Sequence, residues 1–143
     1  LQHQYDIENT TVLDLYAGTG SISYEFGSRG VKNIIAVDQN KMCVDFIRKT
    51  SESLELFIRV TQMDALKYLS AVKIQFDLVF ADPPYDLGTQ HYLEIIQKVF
   101  DNQLLNEQGL LIIEHSEKEG FEKHARFKQS RKYGSNVFSF FNQ

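Results

Sequence analysis

Long apolar runs are missing from this chain. No stretch approaches the ~20 residues that a membrane span requires, and no signal-peptide pattern opens the sequence. Neither membrane insertion nor a membrane partner is therefore expected. Cysteine is almost absent. Cys43 stands alone, which excludes a disulfide framework and fits a reducing, cytoplasmic compartment. Set among Met42, Val44, Phe46 and Ile47, it reads as a small buried side chain rather than a nucleophile. Tryptophan is absent, and proline occurs only as the adjacent pair Pro83 and Pro84. Positive charge is in deficit, with 15 Lys and Arg against 19 Asp and Glu and a formal net charge of −4. That balance excludes a basic wrapper of nucleic acid but leaves room for an enzyme with a local basic face. His3, His91 and His124 lack metal-ligand spacing, and no metal is expected.

What is present is ordinary for a folded enzyme. The 143 residues are 43% hydrophobic and 24% charged, and a chain of this size buries ~70% of its unfolded surface. A single domain over residues 1–143 and a monomer are expected. The first ten residues are polar and aperiodic and begin with Leu1 rather than Met, which reads as a shortened or processed start.

Short apolar runs alternate with helical patterns. Val12–Tyr16, Ile34–Val37, Leu56–Val60, Phe76–Ala81 and Leu110–Ile113 are nearly continuous, as in parallel strands covered on both faces. Tyr92, Leu93, Ile95, Ile96, Val99 and Phe100 form a helical stripe. A second helix is expected over Asn40–Thr50, with shorter ones after Gly20 and Asp64. The end departs from this alternation: Arg126–Tyr133 and Asn136–Phe141 flank a Gly134-Ser135 turn and predict a hairpin. The fold class is α/β, a doubly wound, mostly parallel sheet closed by an antiparallel hairpin.

Asp14-Leu15-Tyr16-Ala17-Gly18-Thr19-Gly20 lies where the first strand meets the first helix. Glycine there lets a ligand approach backbone N–H groups. The third glycine of the dinucleotide fingerprint is replaced by Ser23, and no Gly-Lys-Ser/Thr follows as a phosphate loop requires. An acid four positions before the first glycine has the form of S-adenosylmethionine sites. That cofactor has no phosphate and carries an amino group an acid can hold. A ligand-free strand–helix turn is the bland alternative. Asp38, Asp64 and Asp82 follow the next three strands, at the ends where open α/β sheets bind ligands. Asp38 suits ribose hydroxyls and Asp64 an adenine amine, and both also suit helix N-capping.

Asp82-Pro83-Pro84-Tyr85 directly follows the strand Phe76–Ala81. Two prolines cannot continue the ladder, so the chain leaves the sheet rigidly with free carbonyls. The Asp82 carboxylate and the Pro83 carbonyl are two acceptors for the hydrogens of an amine, and Tyr85 offers a stacking face. An exocyclic amine has its lone pair delocalised into the ring. Gripping both hydrogens turns that pair toward a methyl donor, and the carboxylate stabilises the developing positive charge. Tyr85 would stack a flipped base.

These motifs resemble the bacterial 16S rRNA guanine-N2 methyltransferases of the RsmD type. The resemblance rests on residues 12–20, Ser28-Arg29-Gly30, Val37-Asp38, residues 76–85 and Arg131-Lys132-Tyr133-Gly134, and it spans residues 11–141. It implies a Rossmann-like methyltransferase that uses S-adenosylmethionine on guanine N2 of 16S rRNA, within the assembled or assembling small ribosomal subunit. By the matching motifs, Asp14, Gly18 and Gly20 hold the methionine part, with Tyr16 and Ala17 in the same loop. Asp38 then holds the ribose, Asp64 the adenine, and Asp82, Pro83, Pro84 and Tyr85 form the catalytic loop. The family's upstream basic segment is not in these 143 residues. Cofactor binding is therefore expected of the chain, and RNA methylation is expected to need that segment.

Six basic residues fall within positions 118–132. Arg126, Lys128, Arg131 and Lys132 are candidate RNA contacts, or alternatively the charges that guard an edge strand. His115 reads as a partly exposed strand-end residue. Methylation of DNA adenine or cytosine or of protein glutamine is the near alternative. A nicotinamide dehydrogenase is the remote one, opposed by Ser23 and by the Asp-Pro-Pro-Tyr motif.

Overall fold

A computed structural model describes residues 7–143. Most of the aperiodic start, together with His3, lies outside the described residues. In chain order the elements are β1 (Thr11–Leu15), α1 (Ser21–Ser28), β2 (Asn33–Asp38), α2 (Lys41–Ser53), β3 (Ile58–Gln62) and α3 (Ala65–Ala71). They continue with β4 (Phe76–Ala81), a 3₁₀ turn (Tyr85–Leu87), α4 (Thr89–Asp101), β5 (Leu105–Ser116), β6 (Phe127–Tyr133) and β7 (Asn136–Phe141). The seven strands form one sheet in the order β3-β2-β1-β4-β5-β7-β6. The first five are parallel, and β7 is antiparallel to both β5 and β6. The Rossmann-like, mostly parallel sheet with a closing hairpin is thus observed.

Alternation along the strands divides the core. Leu13, Leu15, Val37, Val79, Ala81, Leu111 and Ile113 belong to one buried cluster, which Leu69 of α3 and Tyr92, Ile95, Ile96 and Val99 of α4 complete. Each such side chain contributes roughly 1.5–3 kcal/mol by leaving water. Val12 and Ile34, one residue out of phase, pack with Val31 in a smaller cluster on the opposite face. No helix among the described residues is long and apolar enough to cross a membrane.

Four expectations need correction. The third strand begins two residues later than expected, at Ile58, because Leu54–Leu56 close α2 through backbone bonds to Thr50, Glu52 and Ser51. The fifth strand runs from Leu105 to Ser116, not only over Leu110–Ile113. Its polar opening pairs with Phe76 through a register irregularity that no apolar pattern marks. His115 is buried, at 1% exposure, because β7 pairs along the outer edge of β5 and the rings of Tyr92 and Phe121 close over it. Ser116 O can only accept, so Nδ1 carries the proton and Nε2 accepts from the Ser139 hydroxyl. Cys43, expected buried, is half-buried in the first turn of α2.

Candidate active site

The sheet order reverses between β1 and β4, and the carboxyl ends of these strands frame a crevice. After β1 the chain turns through Tyr16, Gly18 and Gly20, all with positive φ. At Gly20 the requirement is double. A Cβ there would lie 2.7 Å from Tyr24 Cζ, and φ is +90°. At Gly18 there is space for a Cβ, and only the φ of +59° favours glycine.

The loop is tied to the second strand through Asp38. Its carboxylate accepts from the Gly18 N–H at 2.8 Å and the Asn40 N–H at 2.9 Å, one bond to each oxygen. Asp38 is therefore not the cap of α2; Asn40 is, accepting from Cys43 N–H. Asp64 does cap α3, accepting from Lys67 N–H at 3.1 Å through one oxygen. Asp14 is 1% exposed and accepts from the Ser23 hydroxyl at 2.7 Å. Burial raises its pKa to about 7, the Ser23 bonds oppose this, and the charges of Asp82 and Asp38 add to it.

A cavity of about 320 Å³ opens beside this loop, within the range of small-molecule sites. Tyr16, Asp38, Met63, Asp64, Asp82 and His91 are prominent in its wall, with Pro84 and Leu87 at the rim. The structure thus brings together Tyr16, Asp38, Asp64, Asp82 and Pro84 of the expected site. Asp14, Ala17, Gly18 and Gly20 are not among its lining residues and belong to the strand end and turn that carry Tyr16. The Tyr16 hydroxyl is hydrogen-bonded to His91 Nε2, with the two rings edge to face at 5.8 Å. Burial raises the Tyr16 pKa, so its phenol stays protonated. Neither Met63 nor His91, which the sequence reading weighed only as a metal ligand, was among the expected site residues. For His91 a signal existed, since it lies just past Gly88 where a helix follows the Asp-Pro-Pro-Tyr loop. Met63 had none.

Pro83 is buried, while Asp82, Pro84 and Tyr85 are exposed at the mouth. Desolvation by the surrounding walls, then the charge of Glu114, pushes the Asp82 carboxyl up to about 6. Tyr85 is 53% exposed, and its hydroxyl donates to Asn136 Oδ1 at 2.9 Å. Among the described residues, no Lys or Arg lines the cavity. Its electrostatics therefore favour a ligand that carries positive charge and offers donors, and they oppose one that carries phosphates.

The four basic candidates are not brought together in one place. Lys132 lies near the carboxyl edge and pairs with Glu117 at 2.5 Å. Arg131 and Lys128 are exposed along the edge strand β6. Arg126 belongs to the far end of the sheet, stacked 4.8 Å over the Phe100 ring beside Gln75, Gln103 and Leu105. Because β6 runs along the sheet, its two ends are separated by the strand's length.

The chain is similar to several known proteins. YlbH of Bacillus subtilis, whose designation as an rRNA methyltransferase is itself provisional, is 32% identical over 108 residues, which cover 72% of this chain and 58% of that protein. Ribosomal RNA small subunit methyltransferase D of Haemophilus influenzae is 27% identical over 113 residues, covering 76% and 58%. The chain thus spans less than two thirds of the curated relatives it matches. A solved Haemophilus influenzae structure, provisionally described as a methylase, superposes with a TM-score of 0.84 at 21% identity, covering 96% of this chain and 89% of that one. The model of the family described as Conserved hypothetical protein 95 matches residues 1–142, and the chain belongs to that family.

Proposed function

We propose that residues 1–143 form one catalytic domain that transfers a methyl group from S-adenosylmethionine to the exocyclic N2 of a guanine in 16S rRNA. The substrate would be the assembled or assembling small ribosomal subunit, in the cytoplasm, with the enzyme acting as a monomer. The observation that carries this reading is an acid-walled cavity, lined by no Lys or Arg among the described residues, opening onto Asp82-Pro83-Pro84-Tyr85. The names of the relatives YlbH and methyltransferase D support the coarser reading, methyl transfer to ribosomal RNA.

The residues fit the cofactor. Each oxygen of Asp38 is already fixed by one backbone N–H and retains lone pairs for ribose hydroxyls. Asp64 keeps an oxygen free of the capping bond for an exocyclic adenine amine. The carboxyls of Asp14 and Asp82 gain from a cationic ligand, since both are raised by burial and then by the charges of acidic neighbours. When bound, S-adenosylmethionine supplies the methyl carbon, which passes from sulfur to nitrogen and leaves S-adenosylhomocysteine and one released proton.

The chain's own residues prepare the amine. Asp82 accepts one N2 hydrogen and the Pro83 carbonyl the other, which turns the nitrogen lone pair out of conjugation with the ring. Asp82 stabilises the positive charge that develops on N2 more than the neutral ground state. With a pKa near 6 it can also take the proton that N2 releases. Tyr85 gives the base a face to stack on, and its bond to Asn136 holds that ring at the mouth.

Labelled S-adenosylmethionine and under-methylated small subunits test the reading. Label should enter 16S rRNA at one guanine as N2-methylguanine, identified by nuclease digestion and mass spectrometry. Label found instead in DNA or in a protein glutamine would contradict it.

A further inference from the structure

Glu114 is not among the residues that line the cavity, yet the topology sets it beside Asp82. Ala81 and Ile113 are register partners on the parallel strands β4 and β5, so Asp82, the first residue past β4, and Glu114, still within β5, lie at the same level. Phe80 and Ile112 are partners one pair earlier. By the two-residue alternation of strands, Asp82 and Glu114 therefore face the same side. The charge of Glu114 is felt at Asp82, where it helps keep that carboxyl protonated to higher pH.

Glu114 is also held in place. Asn136 Nδ2 donates to Glu114 Oε2 at 2.9 Å, while Asn136 Oδ1 accepts from the Tyr85 hydroxyl at 2.9 Å. A carboxylate cannot donate, so the amide orientation is fixed, and one side chain ties the stacking ring to the second carboxylate. Glu114 Oε1 makes no hydrogen bond among the described residues and is available to a ligand.

Two acceptors side by side match one base edge. Guanine presents donors on adjacent atoms, the ring N1–H and the exocyclic N2–H. Adenine and cytosine offer an acceptor where guanine has N1–H, and a carboxylate there would repel it. We propose that Glu114 selects guanine by accepting the N1 hydrogen while Asp82 accepts one from N2. Asn136 is then a positioning residue that fixes Glu114 and Tyr85 together. The inference rests on the guanine-amine reading and adds to it the group that reads the ring nitrogen.

The test uses small subunits reconstituted with 16S rRNA that carries either guanosine or 2-aminopurine riboside at the mapped target. The analogue keeps the exocyclic amine and lacks N1–H. Wild type should prefer guanosine. Glu114→Gln, whose amide can donate to N1 of the analogue, should lose about 10- to 100-fold on guanosine, and the preference should shrink or reverse. The affinity for S-adenosylhomocysteine, measured by calorimetry, should stay within a few-fold and shows that the variant is folded. Asn136→Ala should raise KM for the subunit more than it lowers kcat. If Glu114→Gln binds S-adenosylhomocysteine and keeps the wild-type preference, the role of Glu114 is wrong while the methyltransferase reading stands. If wild type methylates neither substrate at N2, both fall together. A misfolded Glu114→Gln would be replaced by Glu114→Asp, for which a shortened reach should cut transfer to guanosine without improving transfer to the analogue; unchanged transfer would overturn the proposal.

Discussion

The two sides of the crevice are built differently. On the side of β1 and β2, backbone groups fix the site: Gly18 and Asn40 N–H grip Asp38, and the turn at Gly20 admits no side chain. On the side of β4, β5 and β7, side chains hold one another, with Tyr85 bound to Asn136 and Asn136 to Glu114. The first side is expected to exist before any ligand arrives. The second is half-open, and changes there should alter transfer far more than folding.

The largest effect should come from the second side. Asp82→Ala should lower methyl transfer by roughly 10²- to 10³-fold, as for other groups that meet transition-state charge. Its melting temperature and S-adenosylhomocysteine affinity should change little. Radiolabel transfer and calorimetry on the same preparation would separate the two. A variant as active as wild type would remove Asp82 from the mechanism.

On the first side the order of effects reverses. Asp38→Ala removes the acceptor of two backbone N–H groups and of the proposed ribose hydroxyls. Hydrogen bonds to a charged group contribute roughly 1.5–3 kcal/mol, so S-adenosylhomocysteine affinity should fall about 10- to 100-fold, with melting lowered as well. Calorimetry and thermal denaturation measure both.

A smaller effect follows from pH. Asp14 at about 7 and Asp82 at about 6 are both raised from 3.8. A carboxyl whose pKa rises on folding favours the protonated, folded state at low pH. That contribution is complete below about pH 4 and is lost as pH rises to 6 for Asp82 and 7 for Asp14. Ligand-free protein should therefore lose part of its melting temperature between pH 5 and pH 8. Asp14→Asn, which should bring melting at the two pH values closer, checks which carboxyl is responsible. Smallest of all, Asp64→Ala should cost about 1 kcal/mol through the lost α3 cap, with a few-fold weaker cofactor binding.

The same contrast explains what the sequence made legible. The motif side is local: the glycine turn, Asp38 and Asp64 each follow a strand, and strand ends can be read from apolar runs. The strand Phe76–Ala81 was delimited correctly because two prolines stop it. The stripe of α4 was read correctly because its buried positions repeat at helical spacing. The opposite side depends on pairings across the chain. Tyr85 meets Asn136 across 51 positions and Asn136 meets Glu114 across 22, and no short-range pattern encodes either. His115 was misjudged for the same reason, since the ring of Phe121 and the pairing of β7 bury it from outside its own strand. The scattering of Arg126, Lys128, Arg131 and Lys132 had a simpler cause. Closeness in sequence along an extended strand places residues at different ends of the sheet.

Titration of the protein with S-adenosylhomocysteine and with NADH in parallel calorimetric experiments bears most directly on the acid-walled cavity as a cofactor site. S-adenosylhomocysteine should bind in the micromolar range, should weaken in Asp38→Ala, and NADH should give no heat. Binding of NADH without binding of S-adenosylhomocysteine would contradict the methyltransferase assignment.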